Sequence, residues 1–168
     1  PRSGSFILAS NHASYVDPQI LGLSVWRRFS YVAKEELFRN KFLAFWLYQV
    51  GAFPIKRDSS DFGALRETLR RLKKGCPVVV FPQGTRKTSL SPQEVLPGVG
   101  FIAGKSRCPV LPAYIGGSDN VLPPGTKWFR RGHVKVKIGP PINFPPNTSY
   151  ESMARQIMET IVSLSRQR

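Results

Sequence analysis

Apolar residues fall along this chain in two rhythms. Unbroken runs at Ser5–Ser10 and Pro77–Phe81, the second with three consecutive valines, have the length and composition of strands buried on both faces. Phe29–Ala33, Ala52–Ile55, Val110–Ile115 and the alternating His133–Ile138 read as further strands. Helical spacing takes over between them. Asp61–Lys74 carries Leu65, Leu69 and Leu72 on one face, with Gly75 positioned to stop it. The final segment carries Met153, Ile157, Ile161 and Leu164 on one side, behind Thr148 and Glu151 in capping-box spacing. Shorter helices are predicted from Asp17-Pro18 to about Val25, over Lys41–Val50, and from about Pro97 to Ser106. In the first of these Asp17 is expected at the N-cap and Pro18 at the first helical position. A polar loop fills Pro82 to about Pro97. Strands alternating with helices, without repeat or linker, predict a single α/β domain over residues 1–168, with a mostly parallel central sheet flanked by helices.

Composition narrows the function classes. Hydrophobic residues at 41% and charged residues at 21% suit a folded domain and exclude a disordered segment. Lys and Arg number 25 against 10 Asp and Glu, a formal charge of +15. That surplus favours an anionic partner: nucleic acid, an acidic membrane surface or a phosphorylated substrate. No helix-turn-helix, zinc-finger or RNP-type pattern accompanies it, which argues against nucleic acid. The run Arg70, Arg71, Lys73, Lys74 has a structural explanation, because a helix C-terminus favours positive charge. Cys76 and Cys108 match neither a disulfide framework nor a zinc spacing, so a reducing compartment and no metal are expected. No apolar run reaches 18 residues, and no signal peptide is visible. The chain starts without Met and almost at once in an apolar run, so an upstream segment such as a membrane anchor is expected to precede it.

Three segments hold residues suited to chemistry. Asn11-His12-Ala13-Ser14-Tyr15-Val16-Asp17 leaves the carboxyl end of the first strand, where open α/β sheets build sites. Histidine exchanges a proton near neutral pH. Asp17, five residues on, can turn back to hold the ring's other N–H, as the acid of a catalytic triad does. No serine nucleophile is needed if the base activates a hydroxyl of the substrate. The competing reading makes Asp17 a helix cap and His12 a loop residue. Phe81-Pro82-Gln83-Gly84-Thr85-Arg86 leaves a second strand end; Gly84 permits a tight turn whose amides face an anion, and Arg86 offers a fork suited to phosphate. An ordinary turn with one surface arginine explains it equally well. Gly51–Arg57 delivers Lys56 and Arg57 side by side at a strand end, as a phosphate clamp or as two solvated cations.

In this order the segments resemble the glycerolipid acyltransferase family that includes 1-acylglycerol-3-phosphate acyltransferase. The Asn-His-x4-Asp motif is matched by His12 and Asp17, and the second motif resembles Gly51–Arg57. Phe-Pro-Glu-Gly-Thr-Arg is matched by Phe81–Arg86 except at Gln83, and a hydrophobic segment around a proline by Val110–Ile115. The late Val136–Ile142 is similar to the family's final strand and turn. The resemblance implies an acyltransferase-type αβ fold and transfer of a fatty acyl group to the free hydroxyl of lysophosphatidate, giving phosphatidate. Acyl-CoA or an acyl carrier protein would be the co-substrate, with no other cofactor. His12, oriented by Asp17, would be the general base. Lys56, Arg57 and Arg86 would bind the acceptor's phosphate, with Gln83, Gly84 and Thr85 in the same substrate-binding group. The Gly84 N–H or a neighbouring backbone donor would stabilise the oxyanion. Another lysophospholipid or an acylated amine lipid is an alternative acceptor. Two departures stand out: Gln83 replaces a glutamate, which keeps open a catalytically weak lipid-binding module, and Pro97 stands where a lysine is common before Gly98.

A lipid acceptor implies membrane association, here expected on the cytoplasmic side. Phe38, Phe42, Leu43, Phe45, Trp46 and Leu47 form an aromatic-rich stretch too short to span a bilayer. It suits an interfacial helix with Arg39 and Lys41 near anionic head groups, an acyl-chain groove, or a plain core helix.

Overall fold

The computed structural model describes residues 3–25, 27–49, 51–55, 62–123, 125–126 and 128–167. Among these, six strands form one sheet: β1 Ile7–Ser10, β2 Ser30–Lys34, β3 Ala52–Ile55, β4 Val78–Val80, β5 Val110–Gly116 and β6 Lys135–Ile138. Their order is β3-β2-β4-β1-β5-β6. The first five run parallel, and β6 closes one edge antiparallel to β5. The expected mostly parallel α/β sheet is therefore present. Pro54 lies in one edge strand, β3, while Lys135 and Lys137 lie in the other, β6. Helices are α1 Asp17–Ser24, α2 Lys41–Gln49, α3 Phe62–Lys73, α4 Gly98–Ser106, α5 Ser118–Val121 and α6 Tyr150–Arg166. A 3-10 turn, Glu35–Phe38, and the four-residue α5 were not predicted, because four residues are too few to carry a helical period.

The apolar run of β1 is buried because it faces a helical layer on each side. Ile7 and Ala9 join a core built with Leu72 of α3, Val99 and Ile102 of α4, and Ile157 and Ile161 of α6. Phe6 and Leu8 point the opposite way, to Leu21 of α1, Phe29 and Tyr31. Burial pushes the Tyr31 phenol up to about 12, and its hydroxyl donates to the Pro18 carbonyl at 2.8 Å, tying α1 to β2. On the other face α4 and α6 approach closely at Gly100, where a Cβ would run into the Tyr150 carbonyl.

Two caps differ from expectation. Helix α6 is capped by Ser149, in extended backbone, whose hydroxyl accepts from the Ser152 amide; Thr148 instead donates to the Pro145 carbonyl. Thr and Ser are both favoured N-cap residues, and the backbone decides between them. Asp17 is not the N-cap of α1. Val16 holds that position, Asp17 is the first helical residue, and the Asp17 side chain turns away from the helix.

In α3, Glu67 accepts from Arg70 at 2.6 Å and from Arg71 at 2.9 Å, and Arg71 reaches the Ser30 hydroxyl of β2. The Arg70 guanidinium, helped by Arg71 and opposed by partial burial, lowers the Glu67 carboxyl to about 2. A depressed folded-state value means stability present above the unfolded value and lost as pH falls. Glu67→Gln should thus destabilise the domain by about 1 kcal/mol at neutral pH, a figure discounted because solvent screens the pair. Denaturant titrations should show that difference shrinking between the ordinary value of 4.5 and about 2. A pH-independent difference would contradict the assignment.

The topology also decides where a site forms. β1 and β4 are neighbours, yet the chain leaves β1 through α1 toward β2 on one side and leaves β4 through α4 toward β5 on the other. Crossovers of one hand that depart in opposite directions place their helices on opposite faces, as the two cores record. A crevice opens between them at the carboxyl ends of β1 and β4.

Candidate active site

Both loops that the sequence singled out emerge at this crevice. After β1, the chain turns so that one buried oxygen of Asp17, Oδ2, collects three donors: His12 Nδ1 at 2.8 Å, the Ala13 amide at 2.7 Å and the Ser14 amide at 2.8 Å. Asp17 is fully buried, whereas the His12 side chain keeps 18% of its surface exposed. A carboxylate accepts and does not donate, so Nδ1 carries the proton and Nε2 is the ring nitrogen left for chemistry. Phe81 stacks on the imidazole with centroids 4.1 Å apart and an interplanar angle of 18°. The ring is thus fixed by a hydrogen bond at its edge and by contact on its face.

The His12 loop is fastened from three sides. Asn11 donates its amide to the Ile115 carbonyl and accepts from the Ile115 amide, both at 2.8 Å, which pins it to the end of β5. The Ser14 hydroxyl donates to the Leu122 carbonyl at 2.9 Å. The Lys87 amide donates to the His12 carbonyl at 2.8 Å, joining this loop to the one after β4. Sequence reading included Asn11 and Ser14 in the motif without giving them a role. Their partners lie more than 100 residues away, and no local pattern signals them.

The second loop makes the turn expected of it. Gly84 adopts φ +68, and a Cβ there would collide with Leu96. Its amide, however, donates to the Phe81 carbonyl at 3.0 Å and is committed to the turn. The expectation that this N–H serves an oxyanion is corrected on that ground. Arg86 lies over the Tyr15 ring at 3.4 Å from the centroid. Tyr15, Thr85, Arg86 and Lys87 line a cavity of about 690 Å³ together with Ala13, which follows His12 in the chain, and with Gly125 and Thr126. His12 itself does not line it. Lys56 and Arg57 lie outside the described residues. Among the described residues no group of three or more His, Cys, Asp or Glu side chains comes together.

Gln83 is buried between the loops. Its oxygen faces the His12 amide at 3.5 Å, and its amide donates to the Ser89 carbonyl at 3.0 Å and toward Glu94 at 3.4 Å. Burial raises the Glu94 carboxyl, but Lys87 and Ser89 outweigh that effect and hold it below its usual range. An anion thus already stands beside position 83, and only a side chain with a donor completes the contact. Gln83→Glu should destabilise the domain by about 2 kcal/mol at neutral pH, because an acceptor would face two acceptors. The new carboxyl would titrate above its unfolded value, so the penalty should be absent below about pH 4 and grow as pH rises. Melting temperatures across that range test it; an equal loss at all pH values would reject the electrostatic cause.

Among the described residues no helix is long and apolar enough to cross a membrane. Helix α2 turns Phe42, Phe45 and Tyr48 outward, with Phe42 87% exposed, while Leu47 packs on the core. The side chains of Leu43 and Trp46, which belong to the same aromatic-rich stretch, lie outside the described residues.

Fold and site together define the class: α/β proteins with a carboxylate-oriented histidine where parallel strands end. The chain belongs to the acyltransferase family, whose family model matches residues 1–116. It is 31% identical over 144 residues to the 1-acyl-sn-glycerol-3-phosphate acyltransferase of Bacillus subtilis, a match covering 85% of this chain and 69% of that protein. The enzyme of the same name from Streptococcus pneumoniae is 29% identical over 95% of this chain and 57% of its own length. The crystal structure of the 1-acyl-sn-glycerophosphate acyltransferase PlsC from Thermotoga maritima superposes with a TM-score of 0.75 at 27% identity, covering 100% of this chain and 69% of that one. The resemblance carried by the motifs is borne out, and the chain is an acyltransferase.

Proposed function

We propose that this acyltransferase moves a fatty acyl group from a thioester of coenzyme A or acyl carrier protein to the free hydroxyl of 1-acyl-sn-glycerol-3-phosphate, giving phosphatidate. The observation that carries the reading is the 2.8 Å bond between His12 Nδ1 and a buried Asp17 at the crevice between β1 and β4. His12 Nε2 takes the hydroxyl proton as the oxygen attacks the thioester carbonyl, and Asp17 balances the charge that forms on the ring. Collapse of the tetrahedral intermediate breaks the C–S bond, and the imidazolium returns its proton to the departing sulfur. The oxyanion donor passes from Gly84 to the next amide, that of Thr85, which lines the cavity. Arg86 there supplies positive charge for the acceptor's phosphate, with Lys56 and Arg57 assigned to the same role.

Family membership and the intact His12–Asp17 pair favour an enzyme over a lipid-binding module. The acceptor is a membrane lipid, so the domain works at a bilayer, on the cytoplasmic face where its thioester donors are made. The outward aromatic face of α2 supports this placement. The test is release of free thiol from acyl-CoA with lysophosphatidate in mixed micelles. Acceptor-dependent release supports the reading. Release only with another lysophospholipid or an amine lipid would reassign the acceptor, and release only with acyl carrier protein would reassign the donor.

A further inference from the structure

The segment between α5 and β6 lies beyond the 1–116 family match and carries an arrangement the reaction does not use. Its neck is held shut. The Leu122 amide donates to Ser118, the Arg130 amide donates to the Val121 carbonyl at 2.8 Å, and Gly117 packs on the His133 carbonyl. Inside the neck, Thr126 closes a turn on the Pro123 carbonyl through both its amide and its hydroxyl. The loop is also tied to the site: Leu122 receives the Ser14 hydroxyl, and Gly125 and Thr126 form a wall of the cavity that holds Arg86. Two residues further on, Trp128 is 83% and Phe129 70% exposed, followed by exposed Arg130 and Arg131.

We propose that this loop is a membrane anchor that sets the mouth of the cavity against an anionic bilayer. The inference rests on the reading that the acceptor is a membrane lipid. Tryptophan and phenylalanine at a loop tip are suited to the boundary between head groups and acyl chains. Two arginines immediately behind them meet anionic head groups as the rings insert, and the surplus of +15 adds long-range attraction of the same sign. The hydrogen-bonded neck fixes where the chain enters and leaves the loop. Because the same loop walls the cavity, insertion brings the Arg86 side of the site to head-group level, where a lysophospholipid presents its phosphate.

The test compares the wild-type protein with Trp128→Ala/Phe129→Ala and with Arg130→Glu/Arg131→Glu. Sedimentation uses vesicles of phosphatidylcholine with and without phosphatidylglycerol, across a salt series. Binding to the anionic vesicles is expected to weaken about tenfold or more in each variant, with a flatter salt dependence in the arginine variant. Transfer to acceptor embedded in those vesicles should fall in step, while transfer to a short-chain acceptor in solution stays at the wild-type rate. Wild-type binding that both variants retain overturns the anchor and leaves the membrane reading standing. Wild-type protein that binds neither vesicle overturns both. Loss of activity only with acyl carrier protein as donor, at unchanged vesicle binding, overturns the anchor in favour of an acidic protein partner.

Discussion

Replacing His12 with alanine is expected to lower acceptor-dependent thiol release by about 10³-fold, within the 10²- to 10⁴-fold range of a positioned general base. The residual rate would reflect binding and polarisation of the thioester by the surrounding cavity. Folding should survive the change. The imidazole is partly exposed and its structural contacts are the stack on Phe81 and one bond to Asp17, so the loss should stay near 1–2 kcal/mol. Circular dichroism and melting therefore accompany the assay, and a variant that folds normally and turns over at the wild-type rate would remove His12 from the reaction.

Substitutions of Asp17 should separate two roles held by one side chain. Oδ2 receives the imidazole and two backbone amides, while Oδ1 is buried and finds no hydrogen-bond partner among the described residues. In Asp17→Asn the amide oxygen can take the place of Oδ2 and keep all three donors, with the NH₂ group where Oδ1 stood. The loop then stays built and only the negative charge is lost. Turnover should drop by about 10² to 10⁴, with stability lowered by about 1–2 kcal/mol. Asp17→Ala strands three donors in a fully buried position, and a loss of about 3–5 kcal/mol is expected, a large share of the ~5–15 kcal/mol that holds a domain together. Chemical denaturation and turnover, measured on both variants, should diverge in this way. Equal activity in Asp17→Asn and wild type would show that charge on the carboxylate contributes nothing to the reaction.

The strands were legible because burial on both faces leaves an unmistakable apolar run: the expected bounds of β1 and β4 lie within two residues of the observed ones. The site loops were legible for a related reason, since polar residues with chemical capacity directly follow those runs. What the sequence could not show is how a side chain is used. Asp17 before Pro18 satisfies the rule for a helix cap, and the structure instead spends its carboxylate on three donors of its own loop. Gln83 looked like a missing charge; its reason is Glu94, eleven residues on in a loop without periodicity. The bonds of Asn11 to Ile115 depend on strand order, which a linear pattern does not encode. The short α5 escaped for want of a period, yet it roots the loop that walls the cavity.

The two margins of the sheet bear on the protein's behaviour in company. An open strand is a template onto which another chain can add itself, and the hazard grows where copies gather on a surface. Pro54 removes one donor from the β3 margin, and β6 begins at the exposed Lys135, where a second copy would bring like charge. The fold thus carries, at both margins of its sheet, protection against runaway self-association.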